Sequence, residues 1–155
     1  MVSETPSSDL TLARSLLTSE NWRFVLVKAG QVLHASAAPG VKPLAQALAT
    51  LGAQAAGASL ADQIVGRAVA LLAAHARLAA VYGRRVSRGA VAECARWRIP
   101  LAYGEVVAHI LNRAGDGPCP FEERVREITD PAEAAAALAV FEPQADAPPL
   151  SDSVG

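Results

Sequence analysis

Cysteine, aromatic residues and surplus charge are all scarce in this chain. Its 155 residues include two cysteines, Cys94 and Cys119, which can form one bridge but not a disulfide framework. Aromatic residues make up 5% of the sequence, which argues against a platform of rings for stacking single-stranded nucleic acid. The formal net charge is −1, so no global field gathers nucleic acid or an anionic membrane. The longest unbroken apolar stretches, Ala68–Ala74 and Ala134–Phe141, fall far short of the roughly 20 residues of a membrane span. Residues 1–10 are polar and acidic, without the charged-then-apolar pattern of a secretory signal. A cytoplasmic location with reduced thiols is the expectation that follows.

Hydrophobic residues supply 52% and charged residues 19% of the chain. That balance is globular rather than disordered, and the length suits one domain around one core. The expected organisation is a domain over 9–142 between flexible tails, 1–8 and 143–155, the second rich in Pro, Asp and Ser. Lys28 and Lys42 are the only lysines. The preference for Arg accompanies a preference for Ala and reads as a compositional lean, not as a phosphate-binding signal.

Along the chain, Leu10–Ser19 predicts a short helix with Asp9 available as its cap. Trp22–Val27 and Val32–Ser36 alternate like strands, and Lys28-Ala29-Gly30-Gln31 joins them as a hairpin turn. Pro43 suits the first turn of a helix reaching about Leu51. Gly52–Gly57 is a small-residue loop. Ser59-x-x-Asp62 has the form of a capping box, which predicts a helix through His75. Ala79–Tyr82 reads as a short buried strand, Ser87 as the cap of a helix through Trp97, and Ile99–Tyr103 as a strand ended by Gly104. Glu105–Leu111 then predicts a short helix, Gly115–Pro120 a stiff loop, and Pro120–Ile128 one or two helical turns. Asp130-Pro131-x-Glu133 opens a helix to about Phe141. A hairpin feeding alternating helices and strands implies an α/β fold with a mixed sheet covered on both faces.

Four segments in order carry a resemblance: Gly40-Val41-Lys42-Pro43-Leu44, Ala61-Asp62-Gln63-Ile64-Val65-Gly66-Arg67-Ala68, Ile110-Leu111-Asn112-Arg113 and Cys119-Pro120-Phe121-Glu122. Together the chain resembles, over roughly residues 10–141, a prokaryotic family of small proteins with a cytidine-deaminase-like fold and no assigned activity. The resemblance implies a three-layer α/β/α sandwich.

The residues of zinc deamination are missing. That chemistry uses H-x-E followed by P-C-x-x-C. His34, His75 and His109 are followed by Ala-Ser, Ala-Arg and Ile-Leu, so none makes H-x-E. The expected helix opens on Asp62, and the strand that should lead into P-C-x-x-C leads into Arg84-Arg85-Val86-Ser87. A remnant-like Pro118-Cys119-Pro120-Phe121-Glu122 lies one strand too late and offers a carboxylate in place of the second thiolate. No metal and no cofactor are therefore expected. A rearranged set from Cys119, Glu122 and His109 has no spacing rule behind it.

Cys119 is the first candidate. Pro120 places it at a helix cap, where the helix dipole favours a thiolate; otherwise it is a half-buried Cys ending a loop. Asp62 and Glu122 are candidate proton carriers, although the residues favour Asp62 as a capping partner of Ser59. Asn112 and Arg113 can read an amide edge and an anion, or can simply close a helix. Lys42, before Pro43, can attract an anion to a helix start or lie in solvent. Arg67 can pair with a carboxylate across the sheet, and Gly66 permits a close approach. Arg84, Arg85 and Arg88 suit phosphate at the carboxyl edge of the sheet or a solvated rim. Glu105 and His109 read as a surface pair on one helix face. His34 fits a satisfied sheet residue, Cys94 a packed thiol, and Trp22 and Trp97 core anchors. The expectation is a zinc-independent site for a small, nucleotide-like molecule, catalytic through Cys119 with Asp62 or Glu122. The alternative is a non-catalytic binding or regulatory module, with self-association through helices open to either.

Overall fold

A computed structural model describes residues 7–143. The expected tails fall almost entirely outside them. Ser7 and Ser8 do not belong to a tail: Ser7 Oγ accepts from Leu10 N at 3.1 Å and caps α1 (Ser8–Ser19). Asp9 was expected in that role. Its carboxylate instead accepts from Ala29 N and Gly30 N, both at 2.9 Å, and so ties α1 to the hairpin turn.

The hairpin pairs β1 (Phe24–Lys28) with β2 (Gln31–Ser36). Ala29 and Gly30 both take positive φ, 53° and 78°, the conformation a two-residue turn between twisted strands requires. After α2 (Lys42–Leu51) and a 3-10 turn, Gly52–Ala55, the chain enters β3 (Ser59–Val65). The sequence predicted a helix here. The segment is central in the sheet, between β1 and β4, and buried on both faces, so it shows no alternation to separate it from a buried helix. The true helix, α3 (Arg67–Ala76), starts only after Gly66.

Next come β4 (Ala80–Ser87), α4 (Arg88–Arg96) and β5 (Leu101–Val107). Ser87 caps α4 as expected, accepting from Ala90 N at 3.0 Å. Gly104 does not end β5. A Cβ at Gly104 would lie 2.7 Å from Arg84 O, so glycine here lets two backbones approach within the sheet. Glu105 therefore lies in a strand, and the expected helix over Glu105–Leu111 is absent. Two further helices follow among the described residues, α5 (Pro120–Arg124) and α6 (Pro131–Val140), the second capped by Asp130.

The result is a mixed α/β fold with one five-stranded sheet in the order β2-β1-β3-β4-β5. β1 runs antiparallel to both β2 and β3, while β3, β4 and β5 are parallel. Alternate strand residues serve different apolar clusters. Phe24, Leu26 and Leu60 join the larger one, with residues of α2, α3, α4 and α6. Val25, Val27 and Ala61 join a smaller one with Leu10, Ala13 and Leu17 of α1. Cys94 is buried in the larger cluster, where desolvation pushes its thiol up to about 11. Trp97 is not the expected anchor: the residue is 39% exposed, and its Nε1 donates to Glu93 at 2.8 Å. Among the described residues no helix is long and apolar enough to cross a membrane.

Candidate functional site

The parallel strands β3, β4 and β5 end along one edge of the sheet. Because β1 is antiparallel to β3, its start lies at that same edge. Arg23 precedes β1, and its carbonyl accepts from Gln63 N at 3.0 Å. Register then sets Phe24 beside Asp62, Asp62 beside Gly83, and Arg85 beside Glu105. Ligands of open α/β sheets gather beyond such carboxyl ends. A cavity of about 980 Å³ lies here, bounded by the start of α2, the end of β5, the loop that follows it and α5.

Arg23 provides a cation held against a buried carboxylate. Its Nε donates to Asp62 Oδ1 at 3.4 Å, and its side chain is 19% exposed. No protein partner holds the two terminal amino groups among the described residues, so the guanidinium is tethered at one corner and lines the cavity with its fork unpaired. Asp62 stands behind this arginine and outside the cavity lining. Ile64 N also donates to it, at 3.2 Å. Burial raises its pKa to about 6, against the opposing pull of Arg23 and the backbone donors.

Glu122 performs a task that no local motif announces. Its two carboxylate oxygens accept from Arg67 N at 3.0 Å and Ala68 N at 2.9 Å. It thus caps α3 from a distant part of the chain, and its negative charge sits at the positive end of that helix. Burial pushes its pKa up while these amides pull it down. A Cβ on Gly66 would meet Glu122 Oε2 at 2.5 Å. The close approach expected at Gly66 is therefore the approach of this carboxylate.

Arg67 was expected to bind ligand, and it is committed elsewhere. Its Nε donates to Glu93 Oε1 at 3.2 Å, and its terminal nitrogens donate to the carbonyls of Val125 and Ile128. It fastens the segment after α5 to α3 and α4 and does not line the cavity. Its carboxylate partner lies on the neighbouring helix α4, not across the sheet.

The cavity's outer wall is the loop between β5 and α5. Asn112 pins it: its Oδ1 accepts from Gly115 N and Asp116 N, and its Nδ2 donates to Asp116 Oδ1 at 3.1 Å. Asn112 N donates to Gly117 O and Cys119 N to Ile110 O. The stretch is a small hairpin-like loop rather than a helix end, and Asn112 spends its amide inside it. Arg113 lines the cavity from this loop, with no protein partner for its guanidinium among the described residues. Lys42 lines the opposite side and is paired with Glu142.

Cys119 lines the cavity, half-buried, as the cap residue of α5. Burial pushes its thiol up. The amides of Glu122 and Phe121 favour the thiolate but do not outweigh desolvation, and nearby Glu122 opposes it further. The dipole of a five-residue helix does not overcome these effects. The thiolate expected from the sequence is disfavoured, because burial counts for more here than the cap position.

Of the other candidates, Arg85 pairs with Glu105 at 3.0 Å and lines the cavity, as does His109. Glu105 and His109 do not share a helix face. Arg84 lies on the sheet's other side and donates to Gln63 Oε1 at 2.9 Å. His34 stacks on Phe24, ring centroids 5.7 Å apart. Among the described residues, no three His, Cys, Asp or Glu side chains converge to hold a metal ion. The sequence reading missed Arg23, an arginine before an apolar strand that resembles an ordinary solvated residue. The one available signal was a buried acid in the neighbouring strand, and the mistaken helix over Asp62 hid it.

Fold and cavity together define a small mixed-sheet α/β protein with a solvent-connected cleft at the carboxyl edge. Residues 12–141 match the family described as a domain of unknown function, DUF1893, and the chain belongs to that family. It is also similar to the crystal structure of a DUF1893 family protein, TM1506, from Thermotoga maritima, at a TM-score of 0.77 and 20% identity. That match covers 87% of this chain and 90% of the other, and it shows a shared fold. No curated protein matches.

Proposed function

We propose that this protein is a zinc-independent binding module for a small, nucleotide-like molecule bearing an acidic group. The scaffold under this reading is a cytidine-deaminase-like three-layer α/β/α sandwich. The strand order and the apolar clusters on both sheet faces favour it. The observation that carries the function is Arg23, which lines the cavity tethered through Nε, its terminal nitrogens without a protein partner among the described residues. Such a group receives a carboxylate or phosphate in bidentate geometry with little orientational entropy left to lose. Arg113 adds positive charge on the wall. The cavity size suits a molecule of nucleotide dimensions.

Binding is favoured over catalysis because the expected catalytic groups have other engagements. Glu122 is bonded to two helix amides, Asp62 lies behind Arg23, and the thiol of Cys119 is favoured over its thiolate. A nucleophile needs an adjacent base free to take its proton, and none of these acids is in that position.

The test is calorimetric titration of the full chain with adenosine and uridine monophosphates, and with the corresponding nucleosides as acid-free controls. Binding of a monophosphate but not its nucleoside, weakened at least about tenfold by Arg23→Gln, is the expected outcome. Equal affinity of the Arg23→Gln protein would overturn the assignment.

A further inference from the structure

A second cavity, of about 450 Å³, lies on the α1 side of the same sheet edge, and Arg23 lines both. Its wall contains Trp22, Gln63, Tyr82 and Arg84, and no Asp or Glu. The first cavity differs in this respect, since three glutamates line it. Arg84 is held as Arg23 is held. Its Nε donates to Gln63 Oε1 at 2.9 Å, and Gln63 Nε2 donates to the carbonyl of Trp22 at 3.0 Å. The orientation of this guanidinium is thereby referred to the backbone, while its terminal nitrogens have no protein partner among the described residues. Arg23 and Arg85, each tethered to a carboxylate, thus line the first cavity, while Arg84, tethered to an amide, lines the acid-free second cavity with no carboxylate to neutralise it. The alternation of β4 explains the arrangement: Arg85 faces the first cavity, so its neighbour Arg84 faces the second.

The geometry points to a ligand that carries more than one anionic group along a chain of phosphates, with Arg23 holding its near end between the two cavities and Arg84 its far end in the second. This rests on the proposed function for the first cavity and specifies its ligand class: a polyphosphate-bearing molecule rather than one with a single acid.

The experiment measures binding of inorganic phosphate, pyrophosphate and tripolyphosphate to the full chain by calorimetry. A Trp97→Phe protein, in which Trp22 is the remaining tryptophan, reports occupancy of the second cavity by fluorescence. Tripolyphosphate is expected to bind more tightly than phosphate and to change Trp22 emission. Arg84→Gln is expected to weaken tripolyphosphate about tenfold and leave phosphate within about twofold, whereas Arg23→Gln weakens both. An unchanged preference for tripolyphosphate in Arg84→Gln overturns the inference. So does an equal loss in Arg77→Gln, which would show bulk attraction alone. Failure of the monophosphate titration, with Arg84-dependent tripolyphosphate binding intact, removes the first-cavity reading and keeps the second site. If no phosphate compound binds, both fall.

Discussion

Replacing Asp62 with asparagine should change how stability depends on pH, in a direction the structure fixes. Asp62 is 3% exposed, and burial lifts its pKa from an ordinary 3.8 to about 6 in spite of Arg23. A carboxyl whose folded pKa lies above its unfolded one binds its proton more tightly in the native state. Its contribution to stability is complete below the unfolded pKa and is lost as pH rises through the folded one. At about 1.4 kcal/mol per pH unit of separation, the loss totals about 3 kcal/mol, of which about 2 kcal/mol falls between pH 4 and pH 7. Asp62→Asn removes this dependence and keeps an oxygen to accept from Ile64 N. Urea unfolding of both proteins at pH 4, 5, 6, 7 and 8 measures it, because subtraction cancels every other titrating group. The variant should gain on the native protein by about 2 kcal/mol across that range, whatever constant offset the lost Arg23 contact adds. Parallel curves, or a native protein that gains stability relative to the variant above pH 6, would refute the reasoning.

Gly66→Ala should displace the Glu122 carboxylate, because a Cβ there would lie 2.5 Å from Oε2. A loss of about 1–2 kcal/mol in urea unfolding is expected, the usual worth of a helix cap, with Glu122→Ala giving a similar value. The double variant should cost little more than either single one, and simple additivity would show that the two residues do not act on the same contact. Cys119 should alkylate with iodoacetamide more slowly than a free thiol at pH 7.5, its rate still climbing with pH where that of a free thiol has levelled off; fast modification at neutral pH would reinstate a stabilised thiolate. Asn112→Ala should loosen the loop, speeding hydrogen exchange at Gly115 and Asp116, whose amides its side chain accepts. Unchanged protection of those two amides would show that other contacts order the loop.

The parts legible in the sequence are those written in local chemistry. Ala29-Gly30 marked the hairpin, and Ser87 and Asp130 marked helix starts, because turns and caps depend on residues a few positions apart. Ser59-x-x-Asp62 misled because a capping pattern says nothing about whether the segment lies between two strands. Gly104 misled because a glycine inside a strand and a glycine ending one look alike until the neighbouring backbone is in place. The candidate site was half visible. Cys119, Arg113 and Lys42 line the cavity, but the positions of Glu122 and Arg67 depend on contacts between segments more than 50 residues apart. The balance at Cys119 depends on burial, which no cap motif encodes. Arg23 went unnoticed because its partner, Asp62, had been placed in the wrong element.

The cap on α3 has a consequence for synthesis. Arg67 N waits for an acceptor 55 residues further along the chain. At about 5–20 residues per second, a ribosome takes several seconds to supply it. During that interval α3 has emerged with its first turn unsatisfied, and the wall bearing Cys119 does not yet exist. The cleft should thus mature after the sheet, closing only when the Pro120–Arg124 turn docks. Premature release before that turn would yield a sheet with no vestibule.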